Sequence, residues 1–88
     1  MQIPLIEEAE NEGIDKLIKT LPPKVVEELK RQRDLIRINS SKNYREAVDA
    51  HLYKVATYLI AIRDTGMINE EQLRQLYMYY TDETGEKE

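Results

Sequence analysis

Two groups of side chains in this sequence have types and spacings that could do chemistry. The first is basic: Lys30, Arg31, Arg33, Arg37, Lys42 and Arg45 crowd the middle of the chain. Lys30, Arg33 and Arg37 fall on one edge of a helix, and a stripe of this kind can follow a phosphate backbone. It can equally lay its aliphatic stems over a core and pair with acidic neighbours. Asp34 interrupts it and no aromatic is interleaved, which favours the internal use. The second group is the run Leu76-Tyr77-Met78-Tyr79-Tyr80. A helix turns about 100° per residue, so consecutive large side chains cannot all face one core. Every ring in the chain is a tyrosine: there are six, with no Phe and no Trp. Such rings suit half-wet surfaces and interfaces.

Other chemistries find little material. Cysteine is absent and histidine occurs once, so thiolate sites, disulfides and histidine cages are excluded. His51 is expected to be a packed or half-buried ring at the edge of a helix stripe, with pH sensing or a ligand role as the alternative. Ser40 and Ser41 read as helix caps rather than nucleophiles. Glu7, Glu8, Glu10 and Glu12 could face a cation, but a solvated face near a helix N-terminus explains them better. Gly13, Gly66 and Gly85 are isolated, so no phosphate loop is expected. No cofactor, no metal and no catalytic residue is expected, and the chain does not read as an enzyme.

The elements that position these residues follow from apolar spacing. Pro4 suits a helix start, and Ile14, Leu17, Ile18 and Leu21 keep helical spacing. Asn11-Glu12-Gly13 is expected to bend this segment. Pro22-Pro23 breaks the chain and starts a second helix, running to about Ile38. Its arc is Val25, Val26, Leu29 and Ile36, with Leu35 and Ile38 off it. Asn39 to Asn43 reads as a loop whose Asn or Ser caps the next helix. The third helix, about Lys42 to Asp64, carries Tyr44, Val48, Leu52, Val55, Leu59 and Ile62 on one stripe. A second stripe, Tyr53, Ala56 and Ile60, implies neighbours on two sides. Thr65-Gly66 ends it, and Asn69 with Gln72 forms a capping box for a fourth helix to about Tyr80. Leu73, Leu76, Tyr77 and Tyr80 are expected inside, with Met78 and Tyr79 pointing elsewhere.

The span Leu59 to Tyr77 resembles the short helical hairpin found near the C-termini of many bacterial proteins, through Leu59, Ile62, Gly66, Ile68, Glu70, Glu71 and Leu73. That resemblance implies a helix–Gly–cap–helix fold, and no function is carried over from it.

At 88 residues the chain makes one domain, expected over 1–80 with a disordered acidic tail over 81–88. The fold class is all-α, a small antiparallel helical bundle of three main helices plus an N-terminal helical segment. Net charge is −4 and unevenly spread. Residues 24–45 hold seven bases against three acids, and residues 66–88 hold six acids against two bases. This acid–base layout permits docking of one segment on another. Met1-Gln2-Ile3-Pro4 does not read as a signal peptide, and no span reaches ~20 apolar residues; a cytoplasmic location without membrane contact is expected.

Function is expected to be non-catalytic: a small regulatory or adaptor protein working by protein–protein contact, as a homodimer, through Tyr53, Ile60, Met78 and Tyr79. The alternatives are a nucleic-acid-associated regulator using the six basic residues and a phage-type inhibitor of a host enzyme. A helix-turn-helix is disfavoured, because Glu70 and Glu71 open the would-be recognition helix and repel phosphate.

Overall fold

The computed structural model describes residues 5–83, and side chains from Gly13 onward. The described chain folds as four helices with no strand: α1 (Leu5–Thr20), α2 (Pro23–Ser41), α3 (Arg45–Asp64) and α4 (Glu70–Tyr80). The expectations for Pro4, for the side chains of Glu7 to Glu12 and for residues 84–88 lie outside the described residues.

The breaks fall where the sequence chemistry puts them. Pro22 caps α2 with φ −60° and ψ 145°, and Pro23 takes the first helical position, where a missing N–H costs nothing. Gly66 has φ 86°, a left-handed conformation that closes α3 cheaply only with glycine. The box on α4 is complete: Asn69 Oδ1 accepts from the Gln72 N–H at 2.8 Å, and Gln72 Oε1 accepts from the Asn69 N–H at 2.9 Å. Ile68, just before the cap, is buried, and Leu73 packs on the same core. Together they fix the angle at which the chain enters α4.

Three local expectations are corrected. No bend interrupts α1; the helix runs unbroken through Gly13. A glycine inside a helix costs only about 1 kcal/mol relative to alanine, and the Leu17–Leu21 anchor downstream sustains the helix. The α2–α3 connection is shorter than expected, because the polar residues there serve α2 instead of capping α3. Asn39 Nδ2 donates to the Leu35 carbonyl at 2.7 Å, and Ser41 Oγ donates to the Ile38 carbonyl at 2.8 Å. Such back-bonding satisfies the carbonyls of the preceding turn. Asn43 then reverses the chain at φ 61°, a region asparagine tolerates. Tyr44 becomes the cap residue of α3, without a side-chain cap, so it leaves the core stripe and stands exposed.

Among the described residues the core is one cluster. Leu29 and Ile36 of α2 meet Val48, Val55, Leu59 and Ile62 of α3 and Leu76 and Tyr80 of α4, with Leu17 and Leu21 closing the α1 side. The α2–α3 interface is the most extensive, followed by α3–α4, and α1 leans on α4. No helix among the described residues is long and apolar enough to cross a membrane.

Candidate functional site

The side chains that could act lie in three places, two of them anticipated from the sequence. On α3, Tyr53 and Ile60 lie round the helix from the buried Val48–Val55–Leu59 row, and both are exposed. On α4, Met78 is exposed as well. Tyr79 departs from the expected pattern. It is half-buried and packs on the core, its ring edge-on to Tyr80 at 4.9 Å and 88°. The Arg33 guanidinium stands 5.4 Å from the Tyr79 centroid and 5.5 Å from that of Tyr80. A cation over a ring face is held by the ring quadrupole. A tyrosine one step off the inner face of α4 is thereby covered by a charged residue from α2. Burial raises the Tyr80 hydroxyl above its ordinary pKa, Tyr79 adds to this, and Arg33 opposes it.

The basic group meets carboxylates of the same chain. Arg31 pairs with Glu28 at 3.2 Å, one helical turn away. Arg37 Nε donates to the Asp82 backbone carbonyl at 2.9 Å, and its Nη2 lies 4.0 Å from Asp82 Oδ2. Arg45 grips Glu83 with both terminal nitrogens, Nη1 to Oε1 at 3.2 Å and Nη2 to Oε2 at 3.0 Å, and Arg45 also reaches Asp49 at 3.6 Å. Ser40 Oγ completes the clasp with a 3.0 Å bond to Glu83 Oε1. Hydrogen bonds from Arg45 and then Ser40 hold the Glu83 carboxyl below its ordinary range, and the same bond raises Arg45. Lys30 and Lys42 are exposed. The segment at 81–83, expected to be disordered, is thus tied down: Thr81 caps α4 with both its N–H and its Oγ1 on the Tyr77 carbonyl.

The third place was not foreseen. Gln32 is a buried polar side chain, only 4% exposed, at the α2–α3 interface. A buried amide must have partners, and it has two. Its Oε1 is 2.7 Å from His51 Nδ1, and its Nε2 donates to Glu28 Oε2 at 2.9 Å. With a proton on Nδ1 the relay runs His51 to Gln32 to Glu28. His51 is half-buried, as expected, but its partner comes from α2 and not from Asp49 or Glu46. Burial lowers its pKa from the ordinary 6.5, and Lys54 and Arg31 push the same way. Glu28 is lowered by the bonds from Gln32 and Arg31. Beside this relay is an open groove of about 370 Å³ lined by Glu28, Gln32, Lys54, Thr57, Tyr58 and Ala61. Among the described residues no group of three His, Asp or Glu is placed to hold a metal ion.

Gln32 was overlooked because glutamine on a basic helix reads as surface. Its place one helical turn after Glu28, between Leu29 and Ile36, is the signal that could have found it. The acid–base charge layout permits docking of the acidic end on the basic segment, but Asp82 and Glu83 read as disordered tail and Ser40 as a helix cap, so their meeting with Arg45 is a correction. At the head of α4, Arg63 Nη1 donates to Glu70 Oε1 at 2.6 Å, while Glu71 is exposed and pairs with Arg74.

Comparison with protein-family models, with curated proteins and with solved structures finds no match.

Proposed function

We propose that this chain is a non-catalytic regulatory or adaptor protein that acts by protein–protein contact, with a second copy of itself as partner, through the outer side of α3 and α4. One observation carries the reading: Tyr53 is 71% exposed, Met78 70% and Ile60 40%. Single exposed apolar residues are ordinary. Here they include the largest side chains that helices α3 and α4 leave outside, of types enriched at interfaces. A chain of this size buries a modest core and gains from self-association. The scaffold behind the face is an antiparallel pairing of α2 and α3 with α4 laid against both, an arrangement favoured by the Gln32–His51 bond and the short turn at Lys42–Tyr44.

The nucleic-acid reading is weaker, because Arg31, Arg37 and Arg45 are engaged by Glu28, Asp82 and Glu83. Counterion release from phosphate needs cations that can reach it.

The chain carries an internal control for the interface. Tyr44 is also exposed, at 57%, but it is the cap residue of α3 and not one of the residues assigned to the proposed face. Nitration of Tyr53 should fall relative to Tyr44 as protein concentration rises. Equal modification of both rings at every concentration contradicts the proposal.

A further inference from the structure

The clasp on Asp82 and Glu83 has the features of peptide recognition. Arg33, Arg37 and Ser40 follow one another on one side of α2 at helical spacing, and Arg45 opens α3 directly across the turn. Arg37 reads a backbone carbonyl, at Asp82. Arg45 reads a carboxylate side chain with two parallel bonds, and Ser40 adds a third to the same group. A fork on a carboxylate gives geometric selectivity as well as attraction. Binding the main chain and a side chain of adjacent residues together is what distinguishes an acidic peptide from a free anion.

The Glu83 end of the occupant is held loosely, while the Arg37 and Asp82 side chains, 21% and 20% exposed, are drier. The Arg45 side chain is 58% exposed and that of Glu83 30%. Pairs this wet are screened by salt and contribute little. Attachment adds to these contacts: the segment leaves α4 at Thr81, beside the cradle. A tether this short gives a local concentration on the order of millimolar, enough to mask a weak site from competitors in solution.

We propose that the Arg37–Ser40–Arg45 cradle is a binding site for an acidic peptide segment of a partner protein, and that Asp82–Glu83 occupies it in cis as a competing ligand. None of its residues belongs to the α3–α4 apolar face, so the proposal stands or falls apart from self-association.

The test uses the full chain with Asp82→Ser and Glu83→Ser, surface changes that leave the core untouched; circular dichroism checks the helices. The probe is a fluorescent peptide of residues 81–88, followed by anisotropy. The cradle predicts binding about tenfold or more tighter to the variant than to the unchanged chain, since the millimolar internal competitor is gone. Adding Arg45→Glu should abolish it, and about 0.5 M salt should weaken it strongly. On the unchanged chain, millimolar peptide should shift the Arg45 Nε–H resonance. Equal binding to both chains, no binding to either, or binding that survives Arg45→Glu overturns the proposal. A variant that retards a DNA duplex and ignores the peptide assigns the cradle to phosphate and overturns it as well.

Discussion

The basic edge of α2 and the outer side of α3–α4 both looked like binding surfaces from sequence, and the fold treats them oppositely. Arg31, Arg33, Arg37 and Arg45 find carboxylates, a carbonyl or tyrosine rings within the chain. Tyr53 and Met78 stay open to water. Long charged side chains have reach and several donors, so a folded chain readily supplies them with partners. An apolar side chain on the outside of a helix has no such reach. Its surface stays open unless a side chain of the same fold reaches over it, as Arg33 does at Tyr79, or another body arrives. Sequence charge therefore overstates free binding capacity, while sequence apolarity beyond the core states it more directly.

The sharpest way to break this contrast is at α4, where adjacent residues belong to opposite sides of it. Tyr80→Ala removes a fully buried ring that is also a platform for Arg33, and should cost about 3–5 kcal/mol in urea unfolding. Met78→Glu, two residues away and exposed, should shift the stability of the dilute chain by less than about 0.5 kcal/mol. Comparable losses at both positions would mean that α4 has no outer side. Gln32→Ala comes next, at about 1–3 kcal/mol, because it strips His51 and Glu28 of their shared buried partner. Arg37→Ala follows at about 1 kcal/mol, and the loss should shrink in high salt. A full-sized loss unaffected by salt would place Arg37 in the core rather than in the clasp.

The smallest effect is on pH. His51 is held below 6.5 in the folded chain, so the unfolded chain takes up the proton first as pH falls. Its contribution to stability is complete above pH 6.5 and drains away below it. The Gln32 bond survives this titration, because Nδ1 carries a proton in both forms. Glu28 and Glu83 are held below 4.5, so their contributions are complete above 4.5 and are lost as pH falls below it. An NMR titration of His51 should give a midpoint below 6.5, and Gln32→Ala should move it toward 6.5 by opening the site to water. A midpoint above 6.5 would contradict the burial of the ring.

The helices were legible because their signals are local. Pro22-Pro23, Gly66 and the Asn69–Gln72 box act within a turn of themselves, and the Val48–Leu59 row repeats at helical steps. What the sequence hid depends on contacts between distant residues. Tyr79 reads as surface until Arg33 covers it from α2. The tail residues Asp82 and Glu83 read as disordered until Ser40 and Arg45 are brought beside them. Asn39 and Ser41 look like loop residues because the same side chains that cap a helix can also bond backward into one. Of the four residues first assigned to the apolar face, Tyr53, Ile60 and Met78 stand exposed and Tyr79 does not.

Sedimentation equilibrium bears most directly on the claim that the α3–α4 face is an interface. The unchanged chain, 10.4 kDa as a monomer, should sediment at about twice that mass in the range of tens of micromolar, where weak specific interfaces assemble. Tyr53→Glu with Met78→Glu should return it to the monomer with its helicity intact. A strict monomer at high micromolar concentration, or a dimer that withstands both charges, would contradict the account.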